Sequence, residues 1–319
     1  MTRCIMGVVM LLTIPLQAAG PETEPLFQTV DLNVGQSASV KLSNGKTVVV
    51  KLLGLKEQRC EMRSAVRRAV ATVKVDSSRA ELVCATYNLP KTVGRVQIDC
   101  PVTRGYCTSL DRKVNVWAMD KDVRLRIWPA GSPWIRRGTF AYPVNQRWFA
   151  SDTQMANDPC YVNACDTPGK KRVYYHYGLD FGGAEGAVSV LAATDGVVVS
   201  RGGKTVSGKH PPQVKARYDV VYIRDDRGWY YRYSHLMKID DSLQLGQRVK
   251  MGRRIGTLGK AGGSGGWSHL HFDIIMPQPS GRYGIADGYA FVFEAYRRQH
   301  APKMIAVARP HLVAWLAIP

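Results

Sequence analysis

Polar and apolar residues alternate from Ala38 to Leu53, on both sides of Ser43-Asn44-Gly45-Lys46. A period of two is that of a strand with one buried face, and Asn-Gly between two such runs marks a tight hairpin. Arg95 to Ile98, Val114 to Met119 and Val123 to Trp128 read as further short strands, while Arg63 to Val75 fits either a short helix or a strand. Trp128-Pro129-Ala130-Gly131-Ser132-Pro133 then interrupts every periodicity. Beyond a turn-rich stretch from Thr139 to Arg172 the pattern is again β. Val188 to Val199 predicts a hairpin at Thr194-Asp195-Gly196, and Tyr218 to Ile223 with Trp229 to Tyr233 predicts a second. Connections this short imply antiparallel pairing, because parallel strands need long crossovers. Ser268 to Ile275 is one more strand, and Asp287 to His300 reads as a helix capped by Asp287.

The pattern therefore predicts a mainly β chain with a small β-rich domain, residues 20–130, ahead of a second antiparallel β domain, residues 173–300. Residues 131–172 form a linker and long loop, and 301–319 an apolar tail that docks on the body of the protein. Residues 1–19 have a basic start, an apolar run from Ile5 to Leu16 and small residues at Ala18-Ala19-Gly20, which is the layout of a cleaved export signal. At about 1.5 Å per helical residue that run falls well short of about 30 Å of hydrocarbon, so no span is expected after cleavage. The mature chain is expected in the periplasm or outside the cell.

Export changes the reading of the cysteines. Without Cys4, the six that remain are Cys60, Cys84, Cys100, Cys107, Cys160 and Cys165, an even set suited to disulfides in an oxidising compartment. Cys160 with Cys165 is the favoured local bridge, and the four upstream cysteines are then expected to brace the smaller domain. The charge of +19, from 44 Lys and Arg against 25 Asp and Glu, favours an anionic partner such as an envelope polymer. No basic helix or aromatic-interleaved stripe accompanies it, so specific nucleic-acid binding is not expected. Gly262-Gly263-Ser264-Gly265-Gly266 lacks the Lys-Ser/Thr and helix of a phosphate-binding loop.

Chemistry concentrates in the histidines. His269 and His271 stand two apart on a strand, so both side chains leave one face. His176 and Asp180 are four apart, a spacing that shares a face in either a helix or a strand. Imidazole nitrogen with carboxylate oxygen suits zinc, and two histidines with one aspartate leave a fourth position for water. His235 follows the aromatic run Tyr230-Tyr231-Arg232-Tyr233.

In combination, His176-Tyr177-Gly178-Leu179-Asp180, Tyr233-Ser234-His235-Leu236 and His269-Leu270-His271-Phe272 resemble the lysostaphin-type (LytM-like) zinc metallopeptidases, over about residues 142–276. Ala192-Ala193-Thr194-Asp195-Gly196, Leu245-Gly246-Gln247 and Ile255-Gly256-Thr257-Leu258-Gly259 extend the match in the family's order. The resemblance implies an antiparallel β fold with the site in a groove. It also implies one zinc per chain on His176, Asp180 and His271, catalytic assistance from His235 and His269, and peptide bonds of peptidoglycan as substrate. His269 is the first candidate for general base. His235 either orients the water or donates to the developing oxyanion, and the sequence leaves open which histidine takes the proton. Trp267-Ser268 replaces the usual Gly-Pro and Asp273 a common Glu, which bears on substrate and groove shape. An endopeptidase for Gly-rich proteins and a non-catalytic envelope or wall-binding regulator of the same fold are the rival readings.

Overall fold

A computed structural model describes residues 24–59, 61, 65–85, 88–108, 115–147, 159–161, 173–207 and 214–300. The upstream part contains β1 (Gln28–Leu32), β2 (Ser37–Lys41), β3 (Thr47–Arg59), β4 (Val66–Val75), β5 (Ser78–Val83), β6 (Lys91–Val93), β7 (Val96–Thr103), the one-turn α1 (Arg104–Thr108) and β8 (Val123–Pro129). These strands make two antiparallel sheets, ordered β1-β8-β7-β6 and β2-β3-β4-β5. The expected hairpin is β2–β3. Val40, Leu42, Val48, Val50 and Leu52 are buried, the intervening residues face solvent, and Gly45 takes φ +81° at the turn. The segment open to either reading is strand β4, whose alternate residues Ala69, Ala71, Val73 and Val75 fill the same core. Residues 115–119, expected as a strand, form turn and coil instead.

Downstream follow β9 (Pro159–Tyr161), β10 (Val173–Tyr175), β11 (Leu179–Gly182), β12 (Ser189–Leu191), β13 (Gly196–Arg201), β14 (Lys204–Thr205), β15 (Val221–Arg224), β16 (Tyr230–Ser234), β17 (Leu236–Ile239), β18 (Arg248–Val249), β19 (Arg254–Leu258), β20 (His269–Pro277), β21 (Tyr283–Ala286) and α2 (Tyr289–His300). The largest sheet runs β11-β20-β16-β15-β13-β14, with β18 beside β13 and β21 beside β20. The β15–β16 hairpin is as expected. The Val188–Val199 hairpin is not: β12 pairs with β19 in a three-stranded sheet, whereas β13 pairs with β15 in the large one. Thr194-Asp195-Gly196 is thus a crossing between sheets, and Gly196 is required because a Cβ there would lie 2.5 Å from the Arg224 carbonyl oxygen. At the chain's end, Asp287 Oδ1 accepts from Tyr289 N at 2.9 Å, the expected cap of α2.

The central strand β20 is buried on both faces. Leu270, Phe272, Ile274 and Met276 enter one core with Val221, Tyr231 and Phe291. On the other face His269, His271 and Asp273 are followed by Ile275, which joins the upstream core with Tyr175, Tyr222 and Tyr230. The upstream sheets thus pack on the face of the large sheet that carries the histidines. Tyr175 Oη accepts from Val66 N at 2.5 Å, and Trp117 meets Tyr177 edge-on at 6.5 Å. Arg126 joins the two parts in a buried cluster, forked on Asp99 and donating to the Asp287 carbonyl at 2.5 Å.

The disulfide bracing expected of the upstream part is absent among the described residues, where Cys84, Cys100 and Cys107 are free thiols. Burial pushes the Cys107 thiol up to about 12, so it stays protonated and unreactive. Cys60, Cys165 and the side chain of Cys160 lie outside the described residues, as do residues 1–19, expected as a leader, and 301–319, expected as a docking tail.

Candidate metal centre

Antiparallel pairing of β11 with β20 sets Asp180 opposite His271 and Gly182 opposite His269. On the other side of β20, Ser234 of β16 pairs with His271, which delivers His235 to the same end of the sheet. His176 precedes β11 and turns back over it. The connecting Gly178 has φ +83°, and a Cβ there would fall 2.7 Å from the Phe272 carbonyl oxygen and 3.2 Å from His271 Nε2. Only glycine lets the chain cross β20 this closely.

The result is a tight triangle of buried ligand atoms. His176 Nε2 is 3.0 Å from His271 Nδ1 and 3.2 Å from Asp180 Oδ1, and His271 Nδ1 is 2.9 Å from Asp180 Oδ1. Tetrahedral zinc with bonds of about 2.0–2.2 Å separates its ligands by about 3.3 Å, within a few tenths of an ångström of each edge. The tautomer agrees. His271 Nε2 lies 3.2 Å from Asp273 Oδ2, which also accepts from Arg232 Nη1 at 3.1 Å. A carboxylate only accepts, so the His271 proton belongs on Nε2 and the Nδ1 lone pair faces the triangle. With the His176 proton on Nδ1, which has no partner among the described residues, three lone pairs converge and repel unless a cation or an extra proton lies among them. Burial opposes ionisation of Asp180, but its hydrogen bonds with His176 and His271 hold the carboxyl far below the usual range.

Two further histidines border the triangle. His235 Nδ1 donates to the Ala261 carbonyl at 2.7 Å and His269 Nδ1 to the Trp267 carbonyl at 3.1 Å, which leaves both Nε2 atoms bare. His269 Nε2 is 3.6 Å from Asp180 Oδ1, and its ring stacks on Trp267 at 3.8 Å between centroids. The His235 ring lies 4.7 Å from that of His269. Burial lowers His235 to about 4 and is also the main cause that lowers His269, so both rings are neutral at pH 7.

His235 is held under backbone strain, with φ +68° in a non-glycine residue. Asp219 compensates: its Oδ2 accepts the His235 N–H at 3.1 Å and its carbonyl accepts from Leu236 N at 3.2 Å. Arg217 forks onto the same carboxylate, donating from Nε at 2.8 Å and from Nη2. Burial works to raise Asp219, but Arg217 outweighs it and keeps the group ionised.

Comparison with known proteins agrees with this geometry, since residues 174–281 match the model of peptidase family M23. Residues 174–281 thus resemble the M23 peptidases. Over 101 residues it is 33% identical to the peptidoglycan DD-endopeptidase ShyC of Vibrio cholerae serotype O1, a match covering 32% of this chain and 20% of that protein. The chain thus spans about a fifth of that curated relative. Among solved structures it is similar to lysostaphin from Staphylococcus simulans, at 26% identity over 43% of this chain and 50% of that one, TM-score 0.29. It is also similar to Csd3 of Helicobacter pylori, at 15% identity over 82% and 81%, TM-score 0.32.

Within this M23-like stretch the structure brings together all five residues singled out in the sequence. His300, at the end of α2, packs against Tyr296 and Tyr142 away from them, and His210 and His311 lie outside the described residues. Sequence reasoning missed Asp219, and it noted Asp273 only as a departure from pattern. Asp219 stands one residue before the buried run Val220–Ile223 with no motif around it, and its partner His235 is sixteen residues on. Asp273 was legible in principle, two residues from His271 on one strand face.

Proposed function

We propose that this protein is an exported zinc metalloendopeptidase that hydrolyses peptide bonds in peptidoglycan cross-links or stems. The observation that carries the reading is the convergence of His176 Nε2, Asp180 Oδ1 and His271 Nδ1 beside two neutral histidines with bare Nε2 atoms. When bound by these three ligands, zinc supplies Lewis acidity toward the scissile carbonyl and acidifies water. His269 Nε2 takes the proton from the attacking water as its oxygen bonds to the carbonyl carbon. The resulting imidazolium, held by the Trp267 carbonyl, passes that proton to the leaving nitrogen as the C–N bond breaks. His235, with Nδ1–H committed to Ala261, offers an acceptor that orients the water rather than a donor to the oxyanion. Its neutrality at pH 7 suits that task.

Peptidoglycan is preferred to Gly-rich protein because the M23 relative of highest sequence identity given above is a peptidoglycan DD-endopeptidase. In this reading residues 1–19 are a cleaved leader, 20–130 an upstream β domain, 173–300 the catalytic domain, and Cys160–Cys165 a disulfide in the intervening loop, which thiol titration in denaturant would count. No helix among the described residues is long and apolar enough to cross a membrane. The deciding experiment measures cleavage of purified peptidoglycan and of a Gly-rich protein side by side, with and without a chelator. Chelator-sensitive release of wall peptides is expected. Preferential cleavage of the Gly-rich protein would redirect the substrate assignment, and zinc binding without cleavage of either would leave the non-catalytic regulator.

A further inference from the structure

Of the chain's positive charge, Arg217 and Arg232 serve the metal centre through Asp219 and Asp273, and most of the rest in the M23-like stretch is neutralised locally. Arg217, Arg227, Arg232, Arg248 and Lys250 each meet a carboxylate. The upstream sheet β2-β3-β4-β5 is different. Its register places Lys51 directly opposite Lys74, and Lys74 directly opposite Arg79, so three cations form one rung across three adjacent strands on one face. Strands lie about 4.8 Å apart, which confines the three positions to about 10 Å of sheet. All three are exposed, and none has an ion-pair partner among the described residues. Lys56 adds another cation farther along the same face, whose acids among the described residues are Glu81 and, beside Val49 where β4 turns into β5, Asp76, which is paired with Arg95.

Like charges directly opposite across strands destabilise a sheet, and neutral polar residues would keep the face soluble without that cost. The rung is flanked along β3 by two exposed apolar side chains, Val49 at 48% and Leu53 at 37% exposure. Cations around protruding aliphatic groups on a flat face complement a surface that offers phosphates above an apolar layer. A flexible polyphosphate chain gains nothing from Val49 or Leu53.

We propose that the outward face of β2–β5 docks this protein on an anionic phospholipid bilayer, with Lys51, Lys74 and Arg79 on headgroup phosphates and Val49 and Leu53 in the headgroup–acyl boundary. This docking is independent of the hydrolytic reading, because its readout is partition onto lipid. The purified chain is sedimented with phosphatidylcholine vesicles with and without phosphatidylglycerol, and titrated separately with long-chain polyphosphate. Binding is expected only with phosphatidylglycerol, weakening as salt rises. Each cation near such a surface contributes about fivefold, so Lys51→Gln/Lys74→Gln/Arg79→Gln lowers partition roughly a hundredfold. A control of equal charge change on the M23-like stretch, Lys204→Gln/Lys238→Gln/Arg254→Gln, lowers it by far less. Relief of repulsion should leave the thermal midpoint of the rung variant at or above that of the parent. Should the triple variant fail to fold, Lys74→Gln alone carries the test with a fivefold loss. Equal loss in both triple variants, binding without phosphatidylglycerol, no vesicle binding, or binding to polyphosphate in place of vesicles would each overturn the proposal.

Discussion

Replacing Asp219 with alanine tests whether the strained turn at His235 is set by one carboxylate. A non-glycine residue in the left-handed region costs about 1–2 kcal/mol, and His235 sits there at φ +68°. The hydrogen bond from its N–H to the ionised Asp219, at 3.1 Å and buried, is of the charge-assisted kind that contributes about 1.5–3 kcal/mol. The two nearly cancel. Without the carboxylate, the conformer that aims His235 at the centre loses that compensation and becomes roughly ten- to a hundredfold less populated relative to a relaxed backbone. Asp219→Ala should therefore lower kcat/KM on a peptidoglycan-derived peptide by about that factor. Zinc content should not change, because the three ligand atoms are carried by β20, by β11 and by the residues just before β11, and not by the turn at His235 that Asp219 holds. Asp219→Asn keeps an acceptor oxygen at the same reach and should recover most of the loss. Near-normal kcat/KM in Asp219→Ala, or loss of zinc in step with activity, would refute the reasoning.

Other consequences divide the site by function and the fold by pH. His271→Ala and Asp180→Ala should lose zinc and activity together, whereas His269→Ala should keep zinc and lose about a hundredfold or more of kcat; metal analysis with turnover separates these outcomes. Gly178→Ala should lower both thermal stability and zinc occupancy, since it combines a disfavoured φ with a Cβ 2.7 Å from a backbone oxygen; an unchanged melting curve would contradict that. Asp287, raised to about 6 from 3.8 chiefly by burial, binds its proton more tightly folded than unfolded. Its contribution to stability is thus full below about pH 3.8 and is lost as pH rises through about 6, a change of about 3 kcal/mol. Asp287→Asn retains the cap acceptor for α2 and should flatten that slope in urea titrations between these pH values. Parallel curves for the two proteins would assign the slope elsewhere.

How far the site could be read from the chain depended on how local each contact is. The face shared by His269 and His271 follows from the two-residue period of a strand, which needs no partner to be predicted. The Asn44-Gly45 turn and the Asp287 cap are settled within a few residues, and both were legible for that reason. The Thr194-Asp195-Gly196 hairpin failed because a turn signal says that the chain bends but not whether it returns to the same sheet. Here β12 finds β19 and β13 finds β15, each far along the sequence. Counting cysteines gave an even set, and among the described residues Cys84, Cys100 and Cys107 are free thiols, because bridging needs a specific approach of two side chains that composition does not specify.

By itself, the sequence determined the strand character of the chain, the set of five candidate side chains and the family-like motifs that carry them. Only the tertiary structure decided which nitrogen of each imidazole is bare, because that follows from distant acceptors: Asp273 for His271, Ala261 for His235 and Trp267 for His269. It alone showed that His235 is strained and held by Asp219, and that the upstream sheets lie on the face of β20 that bears the histidines. It alone aligned Lys51, Lys74 and Arg79 in one rung, since register between strands is set by burial of the whole sheet and not by any one segment.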